Sequence, residues 1–75
     1  MTLDQCRPGE RLLIRTIRDL QVRAMAIRLG MGAGAEVRCQ FRLPRGPVVL
    51  SCGNQEIAIG HGIARQVIVQ LLTAG

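Results

Sequence analysis

The side chains in this sequence that could do chemistry are few. They are three cysteines (Cys6, Cys39 and Cys52), a single histidine (His61), a glycine run at Gly30-Met31-Gly32-Ala33-Gly34, and ten arginines with no lysine. Thiolates and an imidazole are suitable ligands for zinc and other soft divalent metals. Their spacing does not support a metal site: there is no C-x-x-C, and Cys39 and Cys52 fall on the apolar phases of their strands, where free cysteine behaves as a small hydrophobe. His61, between two glycines, reads as a turn residue. A Cys–His nucleophile would also need an orienting third group and an oxyanion site, and nothing here indicates either. No catalytic residue, metal ligand or cofactor-binding residue is assigned, and an enzyme is not expected. The glycine run resembles a phosphate-binding loop, but such loops lead from a strand into a helix N-terminus. Here the run follows a helix, so Gly30 and Gly34 are structural turn residues.

The arginines give a formal net charge of +5 and a pI near 11.1, which biases the surface towards acidic or phosphate-bearing partners. A nucleic-acid surface is one reading, since phosphate neutralisation is the main sequence-independent source of affinity. Single-strand binders usually add aromatic stacking platforms. Phe41 is the sole aromatic, and alternation places it on a buried phase, so an acidic protein partner is favoured over RNA or DNA.

The elements that position these groups follow from periodicity. Arg7-Pro8-Gly9-Glu10 reads as a turn leading into a strand over Arg11 to Ile17. Asp19 is placed to cap a helix from Leu20 to Leu29, where Val22, Met25, Ala26 and Leu29 fall at core spacing. Gly30 then stands where a left-handed residue ends a helix, followed by apolar Met31. From Ala35 to Leu43 the alternation puts Ala35, Val37, Cys39, Phe41 and Leu43 on the inner face, with Glu36, Arg38, Gln40 and Arg42 outside. Pro44 and Pro47 break the pattern. Val48 to Cys52 and Gln55 to Ile59 flank Gly53-Asn54, a Gly-first hairpin signal that sets Leu50 opposite Ile57 and Val48 opposite Ile59. Ile63 to Gln66 is at most a short helical turn. Val67 to Leu72 is the last strand, with Val67, Val69 and Leu71 inward and Ile68 and Leu72 outward.

The fold class is therefore mostly β: a small barrel of about five strands with one α-helix between the first and second, forming one domain over residues 1–75. At 48% apolar and 20% charged residues, the composition is that of a globular chain. The opening is too polar for a signal peptide, and no apolar run approaches the ~20 residues of a membrane span. Unpaired cysteines fit a reducing compartment, so a cytoplasmic protein without membrane insertion is expected. Off the helix's core stripe, Leu20 and Ile27 are apolar residues that could belong to a docking patch.

Leu3-Asp4-Gln5-Cys6-Arg7-Pro8-Gly9-Glu10 resembles the opening L-x-x-L-x-P-G-E of ferrous iron transport protein A, the FeoA family. Arg23, Leu29, Gly30, Met31 and Gly34 match that family's R-x-x-x-x-x-L-G-h-x-x-G helix exit, where h is apolar. Phe41 to Leu50 is similar to its Pro-Gly-Pro-Val connection, and Ile57-Ala58-Ile59 with Ala64, Val67 and Val69 is similar to its closing section. Ala33 stands where the family usually has proline, Ala26 where it prefers leucine, and the Arg45-Gly46-Pro47 turn is one residue short. The resemblance implies an SH3-like barrel and an accessory role in bacterial ferrous iron uptake, binding the cytoplasmic GTP-binding part of a FeoB-type permease. On that implication the surface around Leu20, Arg23, Ile27 and Arg28 is the expected partner-binding face. The sequence leaves oligomeric state open.

Overall fold

Alternating burial organises Arg11–Ile17 into the first strand, β1, of a computed structural model that describes residues 1–73. A 3-10 turn at Leu3–Gln5 precedes it. The helix α1 (Leu20–Arg28) follows, then β2 (Glu36–Arg42), β3 (Val48–Cys52), β4 (Gln55–Ile59), a four-residue helix α2 (His61–Ala64) and β5 (Val67–Thr73). The strands form one sheet in the order β4-β3-β2-β1-β5, antiparallel at every pairing. With only short helices beside it, this sheet must curl over its own inner face to enclose a core. Leu12 and Ile14 of β1, Val48 and Leu50 of β3, and Val67 and Val69 of β5 all enter that core. Leu3, Leu12, Ile14 and Leu50 are fully buried, and each contributes about 1.5–3 kcal/mol by leaving water. This is the mostly β fold with a helix between the first two strands that periodicity predicts.

Local chemistry sets the boundaries of α1. The Asp19 carboxylate accepts from the Gln21 and Val22 amides at 2.8 and 3.0 Å, closing the N-terminus. At the other end Gly30 takes φ +78°. The Met31 N–H reaches Ala26 O at 2.7 Å and the Gly30 N–H reaches Ile27 O at 3.1 Å, the paired bonds of a Schellman cap. Met31 is buried and seals that end against the core. The hairpin also forms as expected: Leu50 pairs with Ile57 and Val48 with Ile59, and Gly53 supplies the positive φ, at +60°, of a Gly-first turn.

The inner-face assignment fails in the second half of β2. Cys39 pairs with Leu50, but Phe41 pairs with Val49, so Gln40 is an extra residue and the strand carries a bulge. One added residue exchanges the two faces. Phe41 points outward at 48% exposure and Leu43 at 51%, contrary to the unbroken alternation. Arg42, expected outside, is exposed as expected although it pairs with buried Val48, and it reaches back so that its Nε donates to Cys6 O at 2.9 Å. Val37 and Leu50 therefore share the interior, Ile57 packs against it, and Phe41 does not. A second departure lies in β5. Leu71 sits opposite buried Leu12 but is 43% exposed, beside a register shift that leaves Leu72 unpaired. Ile68 and Leu72 are half-buried.

Candidate docking surface

The outer face of α1 carries the sequence-assigned residues. Leu20 is 72% and Ile27 62% exposed. Seven positions separate them, two helical turns or about 10 Å along the axis, so both lie on one side. Ala24, also exposed, lies between them. Beneath Ile27 the chain is close: a Cβ built on Gly32 would stand 3.2 Å from Ile27 Cγ1. Gly32 thus lets the helix exit fold under this side chain, a supporting role that the glycine-run pattern alone did not indicate. Gly34, at φ +91°, donates its N–H to Ile14 O at 2.8 Å and leads the chain into β2. Both Gly30 and Gly34 act as turns.

Arg23 and Arg28 differ in what they do. The Arg23 guanidinium donates through Nε and one Nη to Ile17 O at 3.2 and 2.9 Å, fastening α1 to the end of β1. Arg28 is exposed and has no side-chain hydrogen bond among the described residues, leaving its charge available at the helix C-terminus. Of the four residues assigned from sequence, three present free side chains and one also serves the fold.

The carboxylates explain why so much positive charge is left over. Glu10 accepts from the Arg7 N–H at 2.7 Å, Asp19 caps α1, and Asp4 accepts from the Thr2 hydroxyl. Glu36 pairs with Arg11 at 2.8 Å. Arg11, Arg23 and Arg42 have partners. The remaining seven of ten arginines make no side-chain hydrogen bond among the described residues, so their counter-ions must come from solution or from a partner.

The structure separates the candidate metal ligands. Cys6 and Cys39 meet in the core with their sulfurs 2.9 Å apart. Burial, reinforced by the Cys39 thiol, pushes the Cys6 thiol up to about 12. Cys52 Sγ instead donates to Gly30 O at 3.4 Å. Among the described residues no group of three His, Cys, Asp or Glu side chains could hold a metal ion. A recess of about 150 Å³ lies on the outer sheet face between Arg11, Glu36, Val37, Arg38 and Ser51, well below the ~300 Å³ from which small-molecule sites begin. No helix among the described residues is long and apolar enough to cross a membrane. Sequence reasoning missed the exposed Phe41, which aligns across the strands with Val49 and Ala58. Only the bulge creates that row, and no pattern in the residue types announces it.

Solved structures share this architecture. A crystal structure of an iron uptake regulatory protein, FeoA, matches with a TM-score of 0.87 at 29% identity, covering 96% of this chain and 97% of that one. FeoA of Stenotrophomonas maltophilia, a prokaryotic SH3 domain protein crystallised with zinc, matches with a TM-score of 0.80 at 24% identity, over 93% of this chain and 89% of that one. A manganese-dependent transcriptional repressor matches at 0.85 and 20% identity, over 95% of this chain but only 40% of the repressor. The last two likenesses establish the SH3-like fold and nothing further. No curated protein matches the sequence closely enough to count as a relative. The FeoA domain family model matches residues 1–71, nearly the whole length over which the strands, the capped helix and its glycine exit are laid out, and the chain belongs to the FeoA family.

Proposed function

We propose that this chain is a non-catalytic, cytosolic accessory protein of bacterial ferrous iron uptake that docks on the cytoplasmic GTP-binding part of a FeoB-type permease through the outer face of α1. Membership of the FeoA family supports the role in iron transport. The observation that carries the docking face is the pair Leu20 and Ile27, 72% and 62% exposed on one side of the helix, with the unpaired Arg28 guanidinium beside them. Apolar anchors of this kind lengthen residence, and surrounding charge speeds encounter. Titration of the purified permease domain with the wild-type chain and with Ile27→Asp tests it. The substitution leaves the core untouched and is expected to weaken binding by more than tenfold. Equal affinities for the two proteins would exclude this face.

A second reading is a basic barrel that binds RNA or DNA. The outward turn of Phe41 favours it, because an exposed ring on this basic chain offers one stacking platform that strict alternation would have hidden. One platform is few for a single-strand binder, so this reading ranks second. Fluorescence anisotropy with oligonucleotides over a salt series decides it: no binding at low salt, or binding without a steep salt slope, removes it.

A further inference from the structure

We propose that Cys6 and Cys39 are a dithiol modification site that closes to an intramolecular disulfide in exchange with a low-molecular-weight disulfide such as oxidised glutathione. The two sulfurs are 2.9 Å apart, so forming the ~2.05 Å bond requires them to approach by less than about 1 Å. Neither side chain has another polar partner among the described residues.

The backbone holds the pair in place from several directions. Cys39 N donates to Glu10 O at 2.9 Å and Gly9 N donates to Cys39 O at 2.8 Å, which ties β2 to the turn that immediately follows Cys6. Cys6 O accepts from Arg42 Nε at 2.9 Å. The third cysteine lies elsewhere, with its sulfur on Gly30 O.

The exchange balances without a metal or enzyme. One cysteine thiolate attacks a sulfur of the small disulfide and expels one small thiolate, which takes up the proton that the cysteine gave up. The second cysteine thiolate then attacks the cysteine sulfur of the mixed disulfide and expels the second small thiol. The cysteines lose two protons and two electrons, and the small disulfide takes up both to become two thiols. Cys6 and Cys39 are 0% and 1% exposed, so the first attack requires a transient opening that exposes one of them. Burial also disfavours the Cys6 thiolate. The pair should therefore oxidise slowly, yet hold the bond firmly once the core recloses. The product would staple the segment before β1 to β2.

The test uses the full chain carrying Cys52→Ser, equilibrated in glutathione buffers of increasing oxidised fraction, acid-quenched, alkylated and read by intact mass and peptide mapping. In the folded chain the two thiols are expected to disappear together, without a retained glutathione adduct. Half-oxidation should come at a ratio of oxidised to squared reduced glutathione at least tenfold lower than for the same chain in concentrated urea, and dithiothreitol should reverse it. Equal ratios for folded and unfolded chains overturn the proposal, as does accumulation of a stable single glutathione adduct or of disulfide-linked dimers. As a check on assignment, Cys39→Ala should leave Cys6 able only to form the mixed adduct. A disulfide-type mass loss in that variant would also overturn the proposal.

Discussion

Replacing Phe41 with lysine distinguishes the bulged β2 from a regularly alternating strand. In the structure Phe41 is 48% exposed, so roughly half of the ~200 Å² that a phenylalanine can bury is covered. At about 25 cal/mol per Å² that contact stabilises by ~2.5 kcal/mol. A lysine stem laid over the same Val49 and Ala58 surface recovers part of it while its ammonium stays in water. The expected loss is about 1–2 kcal/mol. Were the side chain inward, a buried ammonium would cost upwards of ~4 kcal/mol, most of the roughly 4–11 kcal/mol available to a chain of this length. The chain has no tryptophan or tyrosine, so urea unfolding is followed by far-ultraviolet circular dichroism. With a slope near ~1 kcal/mol per M, the midpoint of Phe41→Lys should fall by about 1–2 M with a folded baseline intact. Val37→Lys, which places the same charge at a buried position of the same strand, should abolish the transition. If Phe41→Lys behaves like Val37→Lys, the bulge and everything built on it are wrong.

Asp19→Ala removes two cap hydrogen bonds and should cost about 1 kcal/mol, seen as a lower thermal midpoint with the fold retained. Gly30→Ala keeps open space around the new methyl but imposes a φ of +78° on an L residue, so destabilisation of about 1 kcal/mol is expected by chemical denaturation, with Gly30→Asn milder. Alkaline pH should weaken the protein through Cys6. The thiol value is raised in the folded state from 9.0 to about 12, so the unfolded chain ionises first. The contribution is complete below pH 9 and is lost at roughly 1.4 kcal/mol per pH unit as pH rises towards 12. Denaturation across that range should show a shallower decline for Cys6→Ala, and identical slopes would refute the burial argument.

Most of the fold could be read from residue types because the signals were local and redundant. Asp19 and Gly30 bracket α1 with opposite end chemistries, and Gly53-Asn54 fixes a hairpin whose register the apolar pairs Leu50–Ile57 and Val48–Ile59 repeat. What escaped was non-local. Gln40 is unremarkable as a residue, and nothing in Cys39-Gln40-Phe41 says that the neighbouring strand runs one residue short of it. Leu71 keeps its register with Val69 and sits opposite buried Leu12, yet it is exposed where the ladder ends at a shift over Leu72. The residues of the proposed docking face divide similarly. Leu20 and Ile27 could be recognised from helical phase, whereas the attachment of Arg23 to Ile17 O depends on how the helix lies against β1. The meeting of Cys6 with Cys39 depends on a turn and a strand brought together across 33 residues, which spacing cannot reveal.

Because Gln40 is a supernumerary residue in its ladder, the pairings on either side of it would close without it. Loss of its codon would straighten the strand yet keep the phenyl ring outward opposite Val49 and Arg42 opposite Val48, on the side from which it reaches the Cys6 carbonyl.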